Sequence, residues 1–124
     1  MIDNGDGTFD AELSYKENWT AEQKIEADNK CKALTEAETF KTKVERKVSP
    51  SVEYKKLFGK DSVKPGQDVD HVIDLQLNGV DDVAINGKPI DSSVNRSLGS
   101  QIGHLLRNLD YGTVIRNFKM VERL

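Results

Sequence analysis

Between Asp68 and Gly103 the sequence changes pattern three times, and each change limits what the chain can fold into. Asp68-Val69-Asp70-His71-Val72-Ile73-Asp74-Leu75-Gln76-Leu77 is rich in β-branched and aliphatic residues and ends at the turn-forming pair Asn78-Gly79, which predicts a strand. Val83-Ala84-Ile85-Asn86-Gly87 predicts a second, short strand. Asp91, Ser92 and Ser93 then offer helix caps, and Val94, Leu98, Ile102, Leu105 and Leu109 recur on one helical face. The expected order is strand, loop, short strand and a helix from about Ser93 to Asn108.

Strands and helices segregated in this way predict an α+β fold, and 124 residues suit one small domain. Such a domain buries only about two-thirds of its unfolded surface, so its core is modest. No apolar run approaches a membrane span, and the acidic, Gly-rich start is unlike a signal peptide. Cys31 is the only cysteine, which excludes an internal disulfide and a four-Cys zinc knuckle; a structural thiol in a reducing environment is the simplest reading.

Ahead of the central stretch, residues 1–19 have no sustained period and read as a leader or linker, leaving residues 20–124 as the domain. Thr20-Ala21-Glu22-Gln23 has capping-box form and predicts a helix from about Ala21 to Phe40, interrupted near Thr35. Its apolar stripe, Ile25, Cys31 or Ala33, Leu34 and Ala37, is thin, which places it on the surface of the domain. Lys41, Lys43, Arg46, Lys47, Lys55, Lys56, Lys60 and Lys64, with Tyr54 and Phe58 among them, fit a phosphate-tracking face or, equally, a solvated surface over two core aromatics. Pro65-Gly66 marks a turn into the first strand.

Within the predicted helix, Gly99 and Gly103 each cost about 1 kcal/mol relative to alanine, which predicts another backbone passing close by. His104 reads as a core or boundary residue rather than a ligand. The β-rich tail Gly112-Thr113-Val114-Ile115-Arg116-Asn117-Phe118-Lys119-Met120-Val121 is expected to return to the central strands.

Net charge is −3, which is unusual for a protein that handles nucleic acid. Its distribution softens the objection: residues 1–45 hold 11 acidic and 6 basic side chains, and residues 46–124 hold 10 and 12. The acidic excess therefore lies in the first third of the chain.

An acidic residue beside a histidine on a strand, an asparagine further on and another in the first turn of a helix resemble the His-Asn-His nucleases (ββα-metal, or His-Me finger) in which the last histidine is replaced by asparagine. The corresponding residues are Asp68-Val69-Asp70-His71-Val72, Asn86 and Val94-Asn95-Arg96, similar to the His-Asn-His domain of RNA-guided DNA nucleases. Asp-Val-Asp-His-x-x-Asp-Leu-Gln-Leu followed by Asp-Ser-Ser-Val-Asn-Arg-Ser-Leu-Gly-x-Gln-Ile also resembles C-terminal toxin domains of bacterial polymorphic toxins of the contact-dependent inhibition and Rhs types. That likeness covers roughly half the chain.

The resemblance implies a ββα-metal core at about residues 68–109, with His71 as general base, Asp70 and Asn95 as ligands of Mg²⁺ or another divalent ion (Mn²⁺, Ni²⁺ or Zn²⁺), and Asn86 tying the connecting loop. Arg96 is expected to hold a phosphate oxygen, with Lys55, Lys56, Lys60 and Lys64 along the backbone and Asp74 and Gln76 behind the site. The chemistry is coherent: an imidazole accepts a proton from water near neutral pH, and a hard cation held by oxygen ligands stabilises charge on phosphate. On a regular strand Asp70 and His71 point to opposite faces, so both serve one phosphate only where the strand twists, bulges or ends.

The implied function is a metal-dependent endonuclease, DNA favoured over RNA, carried by a secreted or cell-surface effector into the cytoplasm of a target bacterium. Its expected partner is an immunity protein, and it is expected to be monomeric when free. An RNase toxin and a non-catalytic binding module or antitoxin are the competing readings.

Overall fold

The computed structural model describes residues 1–44 and 49–122, and Arg46 and Lys47 of the basic stretch lie outside the described residues. The protein is a small α+β single domain with two sheets. Strands β1 (Ile2–Asp3), β2 (Phe9–Ser14) and β5 (Ile115–Val121) form one sheet in the order β1-β2-β5, antiparallel then parallel. Strands β3 (Gln67–His71) and β4 (Gly87–Asp91) form a separate antiparallel pair. Among the described residues, four helices accompany them: α1 (Ala21–Glu36), α2 (Pro50–Phe58), the single turn α3 (Val83–Asn86) and α4 (Ser92–Leu106). Among the described residues no helix is long and apolar enough to cross a membrane.

The supposed leader is a structural element. Phe9, Ala11 and Leu13 alternate with polar residues, the period of a half-buried strand, and Ala11 and Leu13 are buried in the main core. The β-rich tail is a strand as expected, but it pairs with β2 rather than with β3 or β4. Thr35 fastens α1 to it, its hydroxyl donating to Phe118 O at 3.3 Å and accepting from Phe118 N at 2.8 Å.

Helix α1 begins at the expected capping box: Thr20 Oγ1 accepts from Gln23 N, and Gln23 Oε1 accepts from Thr20 N. It is part of the core rather than a surface addition. Ala27, Cys31 and Leu34 are buried, whereas Ile25, assigned to the apolar stripe, is 57% exposed. Burial pushes the Cys31 thiol up to about 12, so it is an inert core residue. Leu13, Leu34, Leu77, Leu98, Ile102 and Ile115, each below 2% exposed, join α1, α4 and the three-stranded sheet into one apolar interior.

Two corrections concern the central stretch. The first strand ends at His71 rather than running on to Leu77, and Leu75–Leu77 is a 3-10 turn. Beyond the strand, the Asn86 side chain takes over Ile73, accepting from its N–H and donating to its carbonyl, both at 2.9 Å. Val83–Asn86, read as a strand, is helix α3, started by the Asp82 carboxylate accepting from Ala84 N at 3.0 Å. The second strand begins at Gly87, the last residue of the stretch expected to form it.

Gly79 shows how tightly the connection folds back: an added Cβ would lie 1.8 Å from the Ile73 carbonyl oxygen. The α4 glycines are different. Among the described residues, a Cβ at Gly99 would meet nothing within 4 Å, and one at Gly103 would meet only the Gln76 side chain, Oε1 at 3.0 Å, so no second backbone of these residues crosses there. His104 is exposed in the last turn of α4 rather than packed at the core boundary.

Candidate functional site

Strand β3, the start of α2 and one face of α4 enclose a cavity of about 510 Å³. Asp70, His71, Asp74, Gln76, Asn95 and Arg96 all line it, six residues that the sequence spreads over two separate segments. The strand geometry that would separate Asp70 from His71 is relieved because His71 is the last residue of β3.

His71 is 6% exposed, and its Nε2 lies 2.9 Å from Asp81 Oδ1. An ionised carboxylate only accepts hydrogen bonds, so with Asp81 ionised the shared proton belongs to Nε2, and in a neutral ring the lone pair is then on Nδ1. Asp81 had no signal in the sequence. Asn86, itself buried, lies behind the cavity and works through it: Nδ2 donates to Val80 O at 3.0 Å, fixing the residue before Asp81, while the Ile73 bonds close the other side of the loop.

Asp70 is buried, and its Oδ2 accepts from Lys30 Nζ at 2.8 Å. The same ammonium donates to His71 O at 2.6 Å and lies 3.8 Å from Asp74 Oδ2. Burial raises the Asp70 carboxyl above its ordinary value, with Lys30 opposing the rise. Lys30 carries a readable signal: it lies three residues after Ala27 and four before Leu34, on the buried face of α1.

Asp68 is a further residue that the sequence reading left without a role. Its carboxylate accepts from Ser92 Oγ at 3.0 Å, Asn95 Nδ2 at 3.1 Å, and Arg96 Nε and Nη2 at 3.1 and 3.3 Å. Burial alone would raise its pKa, but the bonds from Asn95, Arg96 and Ser92 prevail and hold it below the usual carboxylate value. The pairing docks α4 onto β3. Arg96, expected at a phosphate, is engaged with Asp68 while remaining exposed at the cavity rim. Gln76 spans to α4, with Nε2 3.4 Å from Gly99 O.

Lys55, Lys56, Lys60 and Lys64 do not line this cavity; they are exposed on and after α2, and Pro50 and Ser51 are the α2 residues that reach it. The site itself is rich in acidic residues. Asp68, Asp70, Asp74 and Asp81 against Lys30 and Arg96 leave a net charge of −2 when His71 is neutral.

The cavity presents oxygen atoms of the kind a hard divalent ion takes. Asn95 engages Asp68 through its amide nitrogen, and no hydrogen bond among the described residues uses its Oδ1. Asp74 Oδ2 is buried without a hydrogen-bond partner. Asp70, Asp74 and Asn95 are thus oxygen donors around a cavity whose surplus charge a divalent cation offsets. Among the described residues no three His, Cys, Asp or Glu side chains gather as a metal-binding group; one carboxylate and one amide, the expected pair, fall below that count. No protein-family model matches the chain, and no curated protein matches it either.

Proposed function

We propose that the protein is a metal-dependent endonuclease of the His-Asn-His type, acting on DNA as the toxin domain of an interbacterial effector and held in check by an immunity protein. The observation that carries the reading is the meeting of Asp70, His71, Asn95 and Arg96 at one cavity, with Asn86 securing the loop behind the histidine. The sequence β3, loop, β4, α4 then serves as a ββα-metal core.

His71 Nδ1 takes a proton from water as the water oxygen bonds to phosphorus, and Asp81 holds the ring in the required tautomer. The bond to the departing sugar oxygen breaks, and that oxygen leaves with a proton from solvent. Asp70 and Asn95 would hold Mg²⁺, with Asp74 beside them, and the bound ion would supply Lewis-acid stabilisation of the phosphate charge. Lys30 opposes the effect of burial on Asp70 and holds the carboxyl group in place. The toxin role, delivery into a target bacterium and the immunity partner rest on the likeness of the Asp68–Leu77 and Asp91–Ile102 wording to polymorphic toxins.

The test is incubation of purified protein with supercoiled plasmid and with total RNA, in Mg²⁺ and in EDTA, beside His71→Ala. Plasmid nicking that needs both the metal and His71 is the expected result. Cleavage of RNA that survives EDTA and leaves a cyclic phosphate would replace the DNA reading with a metal-free RNase. Binding without cleavage at any divalent ion would make the protein a binding module.

A further inference from the structure

A second cavity, of about 420 Å³, adjoins the first across α4. Its helical wall is Arg96, Ser97, Ser100 and Gln101, whereas the catalytic cavity uses Asn95, Arg96, Gly99 and Ser100. Arg96 and Ser100, one helical turn apart, therefore form the ridge between the two. The opposite wall is Lys16 with the two residues before it, at the end of β2.

That wall is fixed. Gln101 Oε1 accepts from Ser14 N at 2.8 Å, and Gln101 Nε2 donates to Ser14 O and to Ser97 Oγ, both at 3.0 Å. The lining differs in charge from its neighbour: Lys16 is a cation of its own, Arg96 is shared with the first cavity and paired there with Asp68, Ser97 and Ser100 supply hydroxyls, and none of the lining residues is a carboxylate. The catalytic cavity carries more carboxylates than cations, which disfavours an anion until a cation enters, so a cation beside it favours a polyanion.

We propose that this second cavity seats an uncut backbone phosphate of a polynucleotide, next to the one hydrolysed, with Lys16 and Arg96 as its cations. The inference rests on the nuclease reading of the adjoining cavity. It assigns the first third of the chain, acidic overall, a part in holding substrate. It also distinguishes a polynucleotide from a small phosphodiester, which has no second phosphate to seat.

The experiment compares wild type, Lys16→Glu and Lys32→Glu, the last making the same charge change at an exposed position of α1 outside both cavities. Binding of short fluorescein-labelled DNA and RNA duplexes is followed by anisotropy in EDTA across a salt series. Hydrolysis of plasmid and of bis(4-nitrophenyl) phosphate is followed in Mg²⁺. Lys16→Glu is expected to weaken binding of the preferred duplex on the order of tenfold and to lower the log–log salt slope by about one. Lys32→Glu should change binding less than about twofold. Hydrolysis of the small diester should be the same in all three proteins.

Binding by Lys16→Glu equal to wild type, an equal loss in Lys32→Glu, or no binding of either duplex by wild type overturns the proposal. Wild type that binds, loses binding through Lys16→Glu, yet cleaves neither substrate leaves the phosphate seat standing and removes the hydrolytic reading. Wild type that cleaves both substrates while Lys16→Glu binds normally removes the phosphate seat alone.

Discussion

The two sheets bury different chemistry. Around β1-β2-β5 the interior is aliphatic, with Leu13, Leu34 and Ile115 meeting α4 through Leu98 and Ile102. Around β3-β4 it includes Asp70, His71 and Asn86, each buried and each held by a named hydrogen bond. An apolar interior tolerates exchange of one hydrophobic residue for another of similar volume. A polar interior does not, because every group left without its partner costs its full desolvation. The first region is held by packing, and the second by paired polar groups.

The sharpest way to break that division is at His71. His71→Ala should lower plasmid cleavage about 10²- to 10⁴-fold while far-UV circular dichroism keeps its native shape; wild-type cleavage would end the assignment of the base. Lys30 tests the opposite claim, that the polar interior also carries stability. Lys30→Met leaves the Asp70 carboxylate buried without its ammonium and should cost about 3–5 kcal/mol in urea unfolding. Lys30→Met with Asp70→Leu should recover much of that loss but no cleavage.

Asp81→Asn should reduce kcat about 10- to 100-fold, the range for partners that orient a reactive group, with little change in thermal midpoint. Nitrogen chemical shifts of His71 should then report loss of the single tautomer that the carboxylate enforces. The smallest effect belongs to Asp68. Its folded-state pKa is lowered, so it contributes stability above its unfolded value near 3.9, and that contribution disappears as pH falls through the folded value. The difference in midpoint between wild type and Asp68→Asn should be present at neutral pH and vanish in acid. A difference that persists there would mean that the Asp68 contacts with Ser92, Asn95 and Arg96 do not depend on charge.

Features governed by local rules were legible in the sequence. The capping box at Thr20, the Asp91 cap of α4 and the start of β3 follow from side chains that act within a few residues of themselves. What escaped depended on partners far along the chain. The alternation of Phe9, Ala11 and Leu13 was a readable strand signal, hidden by the loop of Asp, Asn and Gly before it. Val83-Ala84-Ile85 has strand propensity, yet one capping bond from Asp82 and the ties of Asn86 to Ile73 and Val80 override it.

The candidate site divides in the same way. Asp70, His71 and Asn95 could be picked out by residue type and order, and the structure brings all three to one cavity. Asp81 and Lys30 reach the same place from a loop and from a helix that the sequence places elsewhere. A lone aspartate in a polar loop carries no pattern. Lys30 did carry one, a cation on the buried face of α1, and it fills the position that pairs with Asp70.

One further consequence follows from the pairing of β2 with β5. Asp10 and Asn117, hydrogen-bonded across that pair, are 107 residues apart in the chain. During synthesis β2 must wait for β5 before their ladder can close. Until then β2 lacks its parallel neighbour and the aliphatic interior lacks Ile115 and Phe118, so that core is completed only when residues on both sides of the candidate site have come together.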